Sequence, residues 1–204
     1  MIAVITGDVV NSRKIADPEI WLSKLKTALN RLGKAPKVWE IIRGDSFQLE
    51  IGTANEALRE ALYIKATIKT IPGLDARMAI GIGAKTYEAT KISEANGEAF
   101  VYSGRLFDQL KKNTLAVKSP WQDVDRAVNI CLELASLTMD RWTPNSAEMI
   151  VLSLEHPEKT QSELASMIQI SQGRVSERQQ RAGYEEIMKM EAYFSDLVQQ
   201  KLSP

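Results

Sequence analysis

Short uncharged runs alternate with amphipathic stripes over the first 118 residues. Ile2 to Thr6 is an apolar run without internal charge, the pattern of a strand covered on both faces, and Gly7-Asp8 is expected to end it. Asp17-Pro18 supplies an N-cap and a first-turn proline. Ile20, Trp21, Leu25, Leu29 and Leu32 then recur at helical spacing up to Gly33. Val38 to Ile51 reads as two strands joined at Arg43-Gly44-Asp45-Ser46. Thr53 is positioned to cap a helix striped by Ala57, Leu58, Leu62, Ile64 and Ile68, which stops at Pro72-Gly73. Ala76 to Ile82 alternates as a strand. After a polar segment come a helix from about Ala95 to Lys112 and a strand at Leu115–Val117. The order β-α-β-β-α-β, followed by a helix and a strand, predicts a ferredoxin-like α+β sandwich.

From Trp121 the pattern is helical only. Trp121–Trp142 carries Val124, Ala127, Val128, Cys131, Leu132, Ala135 and Leu137 on one side and reads as a connecting helix. Met149, Ile150, Leu152 and Leu154 mark the next helix. Two compact helices follow, the first with Leu164, Ala165 and Ile168. The second is capped by Ser171 and runs through Val175 and Ala182. Lys189–Leu202 carries the stripe Met190, Phe194, Leu197 and Val198, which reads as a dimer seam. The expected organisation is an α+β domain over 1–118, a connecting helix over 119–142, and a small all-α helix-turn-helix domain with a C-terminal helix over 143–204.

Composition narrows the chemistry. Apolar residues make up 44% and charged residues 25% of the 204, and 26 bases balance 26 acids, which is ordinary globular composition without a global basic coat. No run approaches the ~20 apolar residues of a membrane span, and the first residues lack a basic signal-peptide region, so no membrane partner and a cytoplasmic location are expected. A single cysteine, Cys131, and a single histidine, His156, leave no zinc cluster of the usual composition and little material for a Cys-His or Ser-His-Asp catalyst. Chemistry then rests on carboxylates, arginines, backbone amides and a metal.

Two carboxylates fit that description. In the predicted topology the strand ending at Asp8 lies beside the hairpin that turns at Asp45, so both acids converge. Converging carboxylates repel unless a cation neutralises them, and oxygen ligands beside a phosphate suit Mg²⁺, or Mn²⁺ in its place. Val9, Val10, Asn11 and Ser12 follow into a tight turn whose amides are expected to cradle nucleotide phosphates.

The same residues carry a family resemblance. Gly7-Asp8-Val-Val-Asn-Ser-Arg13 resembles the first metal motif of nucleotidyl cyclase domains, and Gly44-Asp45-Ser-Phe resembles the second. Arg77-Met-Ala-Ile-Gly-Ile-Gly83 resembles the Arg-x-Gly-Ile-x-x-Gly strand, and Gly97-Glu-Ala-Phe-Val-Tyr-Ser-Gly-Arg105-Leu the segment Gly-x-x-Val-Asn-x-Ala-x-Arg-Leu. The whole chain is similar to the SatD family. The resemblance implies Asp8 and Asp45 as metal ligands, Arg105 as the catalytic group steadying the reacting phosphate, and Glu94 as a purine contact. Two positions depart from the pattern: Val101 replaces an asparagine, and Ile41 replaces a purine-reading lysine.

Gln161 to Ala182 resembles a sigma-factor region 4 helix-turn-helix. The second helix of such a unit lies in the major groove, which offers Gln172, Arg174, Ser176, Arg178 and Arg181 to DNA. The competing expectation is a helical hairpin packed on a partner protomer. Two functions result: a DNA-binding regulator whose cyclase-like domain binds nucleotide and Mg²⁺ without cyclising it, or a Mg²⁺-dependent cyclase or nucleotidyltransferase whose helical tail only dimerises.

Overall fold

The structure, a computed structural model, describes residues 1–203; Pro204, the end of the expected third segment, lies outside them. It is an α+β protein built on a five-stranded mixed sheet. The chain runs β1 (Ile2–Val10), α1 (Glu19–Asn30), β2 (Trp39–Arg43), β3 (Ser46–Ile51), α2 (Ala57–Lys69) and β4 (Asp75–Gly83). Next come a small ribbon of β5 (Lys85–Tyr87) and β6 (Asn96–Gly97), then α3 (Glu98–Gln109) and β7 (Leu115–Lys118). Strand order is β2-β3-β1-β4-β7, antiparallel throughout except for β4 with β7. Central β1 therefore brings residues of both neighbours to Asp8, which stands opposite Ser46 on one side and Arg77 on the other.

Alternation along β1 divides its residues between two layers. Ala3, Ile5 and Val9 join the core formed with Leu25 of α1 and Leu58 and Leu62 of α2. Val4 packs with Ala99 and Phe100 of α3, and the Thr6 hydroxyl donates to Ser103 Oγ at 3.0 Å. Asp8 has the parity of Val4 and Thr6 and so belongs to the α3 side. The strand does not end at Gly7-Asp8: pairing with β4 continues to Val10, because Ala76 and Asp75 supply partners there. The third long helix is shorter than the predicted Ala95–Lys112, since Asn96–Gly97 is used in the ribbon. Thr53 makes no side-chain cap, and a 3₁₀ turn over Ala54–Glu56 precedes α2 instead.

The remaining helices are α4 (Gln122–Met139), α5 (Pro144–Glu155), α6 (Gln161–Met167), α7 (Gln172–Ala182) and α8 (Tyr184–Leu202). The starts of α5, α6 and α7 are capped by their own side chains. Thr143 Oγ1 accepts the Ser146 amide at 3.2 Å, and Thr160 and Glu163 form a reciprocal capping box before α6. Gly183, at φ 65°, makes the left-handed link from α7 to α8. Among the described residues no helix is long and apolar enough to cross a membrane.

The helical part keeps a small core of its own, in which Met149 of α5 meets Leu164 and Ala165 of α6 and Val175 of α7, and shares a larger one with the sheet. Ile150 and Leu154 of α5 and Phe194 and Val198 of α8 belong to the same buried cluster as the α1–α2 layer. This corrects the seam expected on α8: Phe194 and Val198 are fully buried, and Met190 and Leu197 pack against that cluster. The stripe is consumed within the chain because α8 lies along α2, α4 and the Ala54–Glu56 turn. On α4, Val124, Val128 and Leu132 face inward and Cys131 is half-buried, whereas Leu137 turns outward with Ile130 and Leu134.

At the α2–α8 contact, burial pushes the carboxyls of Glu60 and Glu191 above the usual 4.5, against the lowering pull of Arg31 and Arg59 on Glu60 and of Arg59 on Glu191. The folded chain therefore holds these protons more tightly than the unfolded chain. Their ionisation disfavours folding at neutral pH, and stability from this source rises as pH falls through the raised values and levels off below 4.5. Glu60→Gln with Glu191→Gln should raise the unfolding midpoint at pH 7, and the gain should disappear in acid. A gain that persists in full below the ordinary carboxylate range would contradict this origin.

Candidate functional site

One end of the sheet gathers the acids identified from the sequence. Asp45 sits in the β2–β3 turn beside Gly44, whose φ of 58° is a left-handed value that favours glycine. The Asp45 carbonyl accepts the Val9 amide at 3.2 Å, and its Oδ2 accepts the Ser12 hydroxyl. Asn11, also left-handed at φ 65°, turns the chain out of β1 and ties its side-chain amide to the Gly73 carbonyl at 3.0 Å. Asp8 meets Arg77 in a two-point ion pair, Nη2 to Oδ2 at 2.7 Å and Nε to Oδ1 at 3.3 Å. The Arg77 guanidinium also donates to the Leu110 carbonyl at 3.3 Å and lies 4.8 Å over the Phe107 ring, so α3 fixes its position.

Asp8 and Asp45 line a single cleft of ≈ 590 Å³. Asn11 and Ser12 line it too, and its far wall is the loop after α3, ending at Thr114. Five cations surround it: Arg13, Lys14, Arg77, Lys111 and Lys112. Cations outnumber the two carboxylates, an electrostatic setting for a polyanion. The amide cradle expected over Val9–Ser12 is not formed as such, because Val9 and Val10 continue the strand and the Val9 amide is already bonded to Asp45. Positive charge in the cleft comes from side chains instead.

The donor set bears on a metal. Among the described residues no group of three or more His, Cys, Asp or Glu gathers. The pair Asp8 and Asp45 is an all-oxygen set. Each carboxylate, though engaged by Arg77 or Ser12, keeps acceptor capacity on its oxygens, and this suits Mg²⁺.

Arg105 and Glu94 are not brought into this cleft. Arg105 is exposed on α3, and Glu94 is exposed in the 3₁₀ turn Ile92–Glu94, which packs by β2 and β3. Val101 is exposed on α3, and Ile41 is half-buried in β2 opposite Phe47.

A second candidate surface is α7. Its buried residues Val175 and Ala182 face inward, while the five side chains expected on one DNA face divide between two flanks. Gln172 and Ser176, four apart, lie toward α6, where Gln172 Nε2 donates to Gln161 Oε1 at 2.6 Å. Arg174, Arg178 and Arg181, spaced four and three, share the other flank and line a groove with Arg141 and the start of α5. Sequence reading missed Arg141 and the lysines of the loop after α3, because only tertiary packing brings them to these sites.

The chain matches no protein-family model and no curated protein.

Proposed function

We propose that this is a cytoplasmic DNA-binding regulator whose α+β part, cyclase-like and ferredoxin-like in topology, binds a nucleoside triphosphate with Mg²⁺ and does not cyclise it. The observation that carries the reading is the cleft in which Asp8 and Asp45 stand among five cations. Asp8 and Asp45 would hold the metal, which bound there would neutralise phosphate oxygens. Arg13, Lys14, Lys111 and Lys112 would take the remaining phosphate charge, and Arg77 keeps Asp8 oriented. The exposed position of Arg105, outside the cleft walls, favours binding over cyclisation. The α6–α7 pair supports the DNA half of the reading, as a homodimer presenting two α7 helices to one duplex.

Excess ATP or GTP with Mg²⁺ or Mn²⁺ should raise the thermal unfolding midpoint, because ligand that binds only the native chain shifts unfolding by mass action. At a hundredfold excess over Kd that is about 2.7 kcal/mol, or roughly 5–10 °C for a chain of this size. Asp45→Asn should remove most of the shift while leaving the ligand-free midpoint within a few degrees. A shift of equal size without divalent metal, or one unaltered in Asp45→Asn, would remove the metal-nucleotide site.

A further inference from the structure

Arg141 lies outside the α6–α7 pair in sequence, two residues before the Thr143 cap of α5. Trp142 brings it to α7: its indole is buried, and Nε1 donates to the Ala182 carbonyl at the end of α7 at 2.8 Å. The backbone between Asp140 and Thr143 is thereby pinned against the arginine flank. Arg141, Arg174, Arg178 and Arg181 together wall a groove of ≈ 380 Å³, in which Glu177 is the one acidic wall residue.

The four arginines differ in what they already touch. Arg178 meets Glu148 of α5 at 3.2 Å, and Arg181 meets Glu177 at 2.6 Å, one turn back on the same helix. The acids in both pairs are more than half exposed, so solvent and salt screen them and the arginines exchange readily to a stronger anion. Arg141 and Arg174 are exposed and have no acidic partner among the described residues. Thr143 and Ser146 add hydroxyls to the floor. Guanidinium groups match phosphate oxygens with paired donors, and four around one groove exceed what a single carboxylate would use.

We propose that this groove holds the phosphate backbone of DNA along one flank of α7, with Arg141 as a backbone contact supplied from outside the helix-turn-helix. The proposal rests on the DNA-binding reading above and assigns the arginines a task distinct from base recognition. Phosphate contacts fix register on the duplex and carry no sequence information directly. Reading of bases then falls to the outward and α6-side positions of α7, Gln172 and Ser176 among them.

Arg141→Ala should keep the far-ultraviolet circular dichroism of the wild type, since the side chain is exposed. In duplex-binding titrations from low to moderate salt it should bind about tenfold more weakly at low salt. The slope of log affinity against log salt should be shallower by about 0.9, the value of one lost phosphate contact. Preference among duplex sequences should be unchanged. Lys91→Ala, an exposed cation by the Ile92–Glu94 turn, should match the wild type and so report any general charge effect. If the wild type binds duplex and Arg141→Ala binds it with the same affinity and slope, the groove assignment falls and the DNA reading stands. If the wild type binds no duplex at low salt, the DNA reading falls and takes the groove with it.

Discussion

Gly81→Ala should destabilise the protein by about 3 kcal/mol or more, lowering the unfolding midpoint by on the order of 10 °C. A methyl group at this position of β4 would overlap the carbonyl oxygen of Ala99 and the backbone nitrogen of Ser103 on α3. Both are backbone atoms, so no side-chain rotation relieves the overlap and α3 as a whole must withdraw from the sheet. Two residues on, Gly83 repeats the arrangement, a Cβ there standing 2.8 Å from the Ala99 nitrogen. Withdrawal of α3 also disturbs the cleft, because Phe107 and Leu110 hold Arg77, and Arg77 holds Asp8. Gly104→Ala is the contrasting substitution. It lies inside α3 with nothing within 4 Å of a new methyl group, so it should stabilise by about 0.5–1 kcal/mol through helix propensity alone. Equal and small effects at the two positions, in chemical denaturation, would show that α3 does not seat on β4 as closely as described.

The glycines of Arg77–Gly83 illustrate what can be read without coordinates and what cannot. Their spacing is visible in the chain and prompted a motif resemblance, whereas the reason for the spacing, contact of a helix backbone with a strand, appears only when α3 is placed. That Asp8 and Asp45 line one cleft was legible because strand and turn signals are local and a hairpin beside β1 has few possible registers. The cations of the cleft were not. Lys111 and Lys112 arrive from a loop whose position depends on where α3 ends above β4. Periodicity showed that α8 has an apolar stripe but is silent on whether that stripe meets the same chain or another, and Phe194 and Val198 meet their own. On α7 the apolar positions Val175 and Ala182 identified the buried side. The division of the polar positions into a glutamine flank and an arginine flank depends on the packing of α5 and α6. Arg105 rests on a motif alone, and it is not among the residues that line the cleft.

Lys65→Met should be the second strongly destabilising change, by about 3 kcal/mol, because it removes one ammonium from a cluster of two lysines and two aspartates and leaves one carboxylate charge in excess of what Lys69 can neutralise. Lys65, on α2, is fully buried. Its ammonium donates to Asp75 Oδ1 at 2.8 Å and to Thr114 Oγ1 at 3.0 Å, and it stands 3.0 Å from Asp140 Oδ1. Lys69 completes the cluster, reaching Asp75 Oδ2 at 3.1 Å and the Asp140 carbonyl at 2.9 Å. Asp140 is 38% exposed and therefore screened by water, so most of the loss comes from Asp75, whose side chain is only 16% exposed. Asp75→Leu added to Lys65→Met should not recover the loss, because it also takes the carboxylate from Lys69 and leaves that buried ammonium without its ion pair. The cluster also lies between the two proposed sites. Thr114 lines the cleft and donates to Asp140 Oδ1 at 2.8 Å, and Asp140 directly precedes Arg141. Amide exchange in Lys65→Met should accordingly rise in two separated places, the loop Lys111–Thr114 and the segment Asp140–Thr143, before it rises in β1. A loss of stability below about 1 kcal/mol, or exchange that rises uniformly across the sheet, would show that the cluster neither carries this load nor joins the cleft to the start of α5.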